Sequence, residues 1–237
     1  MSSRSTRVAT AFALQVAKGA DGTMCGACVA ALGVSGAGIT LMSRDRSGPV
    51  CSSNPRAAAL EDLQFTLGEG PCRDAFASGL RVSTPHLDAA AAARWPAFVD
   101  QASQSGVGAF FAFPLGSPVA RIGVLTIYQD LPGDLSESQN EDSTEIVEVL
   151  TETMLTIQGD SDTLAPALHE GFAHRAEVHQ ATGMVSAQLE IKPADALALI
   201  RAHAYAHDRP IGDVAADIVG RTLRLSGAHH DKGTDDG

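Results

Sequence analysis

At GDSDTLAP, residues 159–166, the apolar pattern of the chain changes period, and the two sides of that break demand different folds. Upstream, the segments 37–42 (AGITLM), 107–115 (VGAFFAFPL) and 120–128 (ARIGVLTIY) are rich in β-branched and aromatic residues, and each is bounded by Gly, Pro, Ser or Asp. Such runs read as strands. Downstream no strand signal survives, and apolar residues recur every three or four positions, as on the buried face of a helix. The pattern predicts an α+β chain: a mixed domain over 1–158, a polar linker at 159–166, an all-α three-helix module over 167–226 and a disordered polar tail, 227–237. The length of 237 residues, above the usual single domain of about 100–150, agrees with two domains.

Weaker strands are expected at 48–52 and near 80–84, and helices over 6–18, 55–66 and 94–104. The short connection GSPVARIG makes adjacent antiparallel strands of 107–115 and 120–128. Residues 136–158 carry the plainest helix of this half. Ser136 and Gln139 have capping-box spacing, acids crowd the first turns, and Ile146, Val149, Leu150, Met154 and Ile157 form one apolar stripe. The start, MSSRSTRVATAFALQVAKG, has the early Arg of an export signal, but Gln15 and Lys18 interrupt it. Val8, Phe12 and Val16 suit an amphipathic helix instead. No apolar run reaches the roughly 18–20 residues of a membrane span. The expectation is a cytoplasmic protein with no membrane contact and reduced thiols.

In the second half, 167–189 reads as one long helix. Lys192-Pro193 opens another that runs to about 207, since Pro is tolerated in a first turn. DRP breaks it, and a third helix spans 211–225 with Ile211, Val214, Ala215, Ile218, Val219 and Thr222 on one face. Three such helices have little core of their own. Leu168, Phe172, Val178 and Val185 need cover, from the helix 136–158 or from a second copy, which predicts a homodimer.

Catalytic motifs are missing: the chain has no GxSxG, no Walker loop and no GxGxxG, and GEGPC lacks a phosphate-loop Lys. The expectation is a protein that is not an enzyme and has no cofactor. Cys25 and Cys28 have metal or redox spacing, but Cys51 and Cys72 stand twenty residues apart and supply no second close pair. The prediction is no metal and no disulfide, with a redox-active CxxC left as the alternative. His203 and His207 lie i,i+4 with no third ligand nearby. A net charge of −11 and a pI near 5.0 exclude a non-specific nucleic-acid coat. Over 170–226, six basic residues face seven acidic ones, so charge alone points to no nucleic acid there.

The segment VHQATGMVSAQLEIKPADALALIRAHAYAHDRPIGDVAADIVGRTL resembles the ANTAR family of transcription antitermination regulators. The resemblance rests on Ala181, Gly183, Met184 and Val185, then Ala196, Leu197, Ile200, Arg201 and Ala204. It continues through Ile211, Asp213, Val214, Ala215, Ile218 and Val219. Thr182 and Ser186 depart from it, standing where the family often has Lys and Met. The first 160 residues look like a GAF domain of the kind joined to ANTAR modules in actinobacteria, through DLQFTLGEGPC (62–72), ARWPAF (93–98) and AFFAFPL…RIGVLTIY (109–128).

The two resemblances imply a small-molecule or protein signal at the GAF-like domain and hairpin RNA in nascent leaders as the partner of the helical module. They imply an RNA site at Thr182, Gly183, Arg201, Tyr205 and Arg209. Each residue also has an ordinary reading. Gly183 permits close approach of either another helix or an RNA backbone. Tyr205 stacks a base or is a half-buried core Tyr, and Arg201 contacts RNA or pairs with Asp213 or Asp217. Arg209, in the turn before the third helix, is placed to reach a phosphate without burial. The rival function is a ligand- or redox-sensing signalling protein whose helical module makes protein contacts only.

Overall fold

The computed structural model describes residues 23–42, 47–117, 120–159, 165–207 and 209–226. The expected helix 6–18, most of the linker and the tail lie outside the described residues, as do the side chains of Ile157, Leu168 and Phe172. Among the described residues no helix is long and apolar enough to cross a membrane. Two compact units emerge, Met1–Ala173 and His174–Gly237.

The first unit is built on strands β1 (Gly36–Met42), β2 (Ser47–Ser52), β3 (Val82–Thr84), β4 (Ala109–Ser117) and β5 (Ala120–Gln129). They form one antiparallel sheet in the order β2-β1-β5-β4-β3. The hairpin expected from the short connection is present, with Ala109 opposite Gln129 and Ser117 opposite Ala120. Helices cover both faces, which explains why AFFAF reads as a continuous apolar run rather than an alternating one. On one face Ile39, Phe111, Leu125 and Ile127 pack against α1 (Thr23–Leu32) and Ile146, Leu150 and Met154 of α6 (Glu137–Gly159). On the other, Phe110, Ala112, Val124 and Tyr128 pack with Leu60, Cys72, Trp95 and Phe98. Those four come from α2 (Pro55–Leu67), α3 (Pro71–Ser78), the end of α4 (Ala89–Arg94) and α5 (Pro96–Gln104).

Local chemistry sets the boundaries. Asn54 Oδ1 accepts the Ala57 N–H and Pro55 takes the first helical turn, so α2 starts there; it ends at Gly68, whose φ of 72° is left-handed. The Ser136–Gln139 capping box is present in both directions, Gln139 N–H to Ser136 Oγ and Ser136 N–H to Gln139 Oε1. The helix expected over 94–104 is α5, which Pro96 opens beside the buried Trp95, and the short α4 before it was not expected. Helices α1 and α3 were not legible. In α1, TMCGACVAAL is small and apolar nearly all round and shows no helical period.

A buried polar group interrupts the second layer. Glu61, 3% exposed, accepts hydrogen bonds from Thr40 Oγ1 through Oε2 and from Thr126 Oγ1 through Oε1, each at 2.5 Å. The Thr126 hydroxyl also lies 3.1 Å from the Gly38 carbonyl. One carboxyl on α2 thus ties together the central strand β5 and its neighbour β1.

The expectation of no disulfide is overturned. Cys25 of α1 and Cys51 of β2 are bonded, with Cα atoms 5.9 Å apart. Sequence spacing could not show this. The pairing is made when α1 packs across the β1–β2 ribbon, which brings together residues 26 positions apart. Cys28 and Cys72 are free and buried.

The described part of the second unit is helical: α7 (Ala165–Leu189), which begins before the unit boundary, α8 (Pro193–Ala206) and α9 (Ile211–Val219). Val178, Ala181, Val185, Ala196, Ile200, Ala204, Val214, Ala215 and Ile218 are buried. The third helix stops six residues earlier than expected, and Thr222 is not on its face. Arg221 takes φ 61°, its N–H reaches the Ile218 carbonyl at 3.0 Å, and the Thr222 N–H reaches that of Asp217 at 2.9 Å. This is a Schellman closure with Arg where Gly is usual. α7 closes the same way through Glu190, φ 54°, with Ile191 N–H on the Ser186 carbonyl. A left-handed side-chain residue costs about 1–2 kcal/mol. Arg221→Gly is therefore expected to raise the stability of this unit by about 1 kcal/mol in chemical denaturation.

Candidate nucleic-acid interface

The five residues implied by the resemblance do not share one surface. Thr182 faces inward, 6% exposed, and its hydroxyl donates to the Val178 carbonyl at 2.7 Å. A threonine bonded back onto its own helix in this way is a packing residue, so the placement of Thr182 in an RNA site is corrected. Gly183, one position on, is exposed, and a Cβ built on it meets nothing within 4 Å. Among the described residues, helix packing therefore does not explain this glycine, although it costs a helix interior about 1 kcal/mol relative to Ala.

On α8 the buried line is Ala196, Ile200 and Ala204. Arg201 lies beside that line, and Tyr205, one turn later on the same flank, is 53% exposed. The half-buried Tyr of the ordinary reading is thus an exposed one. Arg201 acts across to α7, where it and the buried Arg175 bear on His179. Burial is the largest influence holding the His179 pKa below its ordinary value, followed by the positive charges of Arg175 and then Arg201. His179 is one turn before Gly183 on the outer side of α7. His179 and Gly183 thus lie on the exposed side of α7 and Arg201 and Tyr205 on one flank of α8, and the Arg201 charge reaches His179. His179 was missed because its role depends on a neighbour 22 residues away.

Arg209 belongs elsewhere. Its Nη2 is 2.8 Å from Asp217 Oδ2, with the two side chains 38% and 40% exposed. The pair holds the Asp217 carboxyl below its usual range, chiefly through the Arg209 hydrogen bond, with Thr222 also donating to it. Arg209 also bears on His203, whose ring stacks on that of His207 with centroids 4.0 Å apart. His203 and His207 lie on the flank of α8 opposite Arg201 and Tyr205. Arg209 stands in the turn before α9, partly exposed, and there it is the ion-pair partner of Asp217.

The histidines set a pH dependence whose sign is fixed. Folded His179 and His203 bind protons less readily than the unfolded chain, where the value is 6.5. Acid therefore favours the unfolded state. Stability of this unit is expected to be full above about pH 6.5 and to fall as pH drops below it, and His179→Gln should flatten the fall. Thermal melts from pH 8 to pH 5 check this.

Comparison with known proteins adds two findings. Residues 167–219 match the ANTAR domain. The first unit is similar to the GAF domain of a phosphoenolpyruvate-protein phosphotransferase from Coxiella burnetii, at 11% identity and TM-score 0.50, over 68% of this chain and 99% of that one. It is also similar to the Acinetobacter GAF domain of the same kind of protein, at 14% identity and TM-score 0.48, over 68% and 98%. A third similarity is to free methionine-R-sulfoxide reductase from Neisseria meningitidis, at 19% identity and TM-score 0.49, over 65% and 90%. No curated protein matches the chain in sequence. The molecule joins a unit of GAF fold to an ANTAR domain, an architecture of regulators.

Proposed function

We propose that this chain is a transcription antitermination regulator of the actinobacterial GAF–ANTAR kind and not an enzyme. The GAF-fold unit senses a small molecule or a protein, and the helical module binds hairpins in nascent leader RNA in the cytoplasm, so that a terminator does not form. The ANTAR match over 167–219 carries the reading. The exposure of Gly183 and Tyr205 and the reach of the Arg201 charge to His179 support it. Single-stranded loop bases stack on aromatic rings and on Arg planes, and phosphates seek guanidinium groups. Tyr205 supplies the ring, Arg201 the guanidinium, and Gly183 leaves a backbone open to close approach.

The signal acts by differential affinity, favouring one arrangement of the module over another. We propose a homodimer as the active state. A monomeric mass at high micromolar concentration, with and without RNA, would remove that element. The central test titrates hairpin RNA, its duplex DNA equivalent and unstructured RNA by fluorescence anisotropy. Hairpin RNA is expected to bind at least tenfold more tightly than either control. Equal and weak binding to all three would instead favour a module for protein contact, in keeping with its charge balance and with the Arg209–Asp217 pair. Gly183→Ala sharpens the test: it is expected to raise stability by about 1 kcal/mol and to weaken hairpin binding, because the added Cβ stands where the RNA backbone approaches.

A further inference from the structure

The bond between Cys25 and Cys51 is unlike a core staple in its setting. Cys25 is fully buried in the layer between the sheet and α1. Cys51 is partly exposed, on β2, and β2 is an edge of the sheet. Cys25 is thus closed to a reagent, while Cys51 is the residue of the pair that reaches the surface. The layer that holds Cys25 also holds Ile146, Leu150 and Met154 of α6. The Gln139 side chain of α6 donates to the Leu32 carbonyl at the end of α1, at 2.8 Å. So the bond fastens α1 to the sheet edge on one side while α1 bears on α6, the last helix wholly within the first unit, on the other.

We propose that Cys25–Cys51 is a thiol-exchange site, opened by a low-molecular-weight thiol that enters at Cys51, and that its opening loosens α1 and α6. In the first step the thiolate of the small thiol attacks Cys51 Sγ, the Cys25–Cys51 bond breaks, and Cys25 leaves as a thiolate that takes a proton. In the second, another small thiolate attacks the outer sulfur of the mixed disulfide and Cys51 leaves and is protonated. The protein disulfide gains two electrons and two protons, and two small thiols become one small disulfide. Cys28, one turn beyond Cys25, takes no part: burial pushes its thiol up to about 12, so almost none of it is thiolate at neutral pH. This site is independent of the RNA reading.

The test uses the full chain. Protein prepared without reductant is expected to show two alkylatable thiols when unfolded, Cys28 and Cys72, and four after reduction. Native protein treated briefly with reduced glutathione, quenched in acid and mapped by mass should carry glutathione on Cys51 at least tenfold more often than on Cys25. With oxidised glutathione, C25S should be modified at residue 51 at least tenfold faster than C51S is at residue 25. Full reduction should speed hydrogen exchange at least tenfold in 23–32 and in the first half of α6, with far-ultraviolet circular dichroism unchanged. Four free thiols at the outset, equal labelling of Cys25 and Cys51, or exchange in α1 and α6 indifferent to reduction would each overturn the proposal. The mapping in the unaltered protein keeps the test decisive should either variant fail to fold.

Discussion

Arg201→Ala is expected to weaken binding of hairpin RNA by about 1–3 kcal/mol, roughly five- to 150-fold, while the melting temperature moves no more than loss of one partly exposed charge would move it. The reason lies in its position. Arg201 is beside the buried line of α8 and not in it, it shares a flank with the exposed ring of Tyr205, and its charge reaches His179 on α7. If it meets a phosphate, the variant should also reduce the salt slope of log K by about one; if it stacks a base, the slope should hold and loop preference should change. His179 gives an independent readout. A phosphate settling beside Arg201 offsets the positive charge that disfavours protonated His179, so RNA affinity is expected to rise as pH falls from 7.5 to 6, the opposite of the stability trend. His179→Gln should abolish that rise. Arg209→Ala is the contrast: it removes a surface ion pair with Asp217, a kind of pair that adds little, and should leave affinity within about twofold. Affinity and stability falling together in Arg201→Ala, and recovering together when stability is restored elsewhere, would make Arg201 a structural residue.

Glu61→Ala is expected to be among the most damaging single changes in the first unit, lowering its stability by about 3 kcal/mol or more. The substitution opens a cavity in a closed layer, strips the acceptor from the buried Thr40 hydroxyl and leaves the buried Thr126 hydroxyl only the Gly38 carbonyl. A buried donor left without its acceptor costs about 1–3 kcal/mol. Glu61→Gln keeps the volume and one carbonyl oxygen and should cost distinctly less. Trp95 is the chain's sole tryptophan and lies in the same layer, so its fluorescence in a urea titration reports this unit alone. A loss below about 1 kcal/mol in Glu61→Ala would show that the two strands do not depend on the carboxyl.

The sequence by itself determined the elements whose signal is local. Strands 37–42, 107–115 and 120–128 appear as β1, β4 and β5 because β-branched and aromatic runs between turn residues have few other ways to bury themselves. The capping box at Ser136 and the proline at 193 start helices where they stand, since the chemistry of a helix start lies within four residues. The register of ANTAR-like residues from Ala181 to Val219 was legible for the same reason, being one short stretch read in order. What only the tertiary structure decided are the pairings across sequence. Whether Cys25 bonds to Cys28, Cys51 or nothing depends on how α1 lies over β2. Whether Thr182 points at solvent or into the helix bundle depends on which side of α7 is covered, and a one-position step to Gly183 reverses the answer. Arg201 and Arg209 have the same side chain and sit eight residues apart. One lies a turn from Tyr205 on α8 and bears on His179 of α7, whereas the other, in the loop before α9, is held against Asp217. Local propensity acts over a few residues, whereas such partnerships depend on where helices come to rest in space.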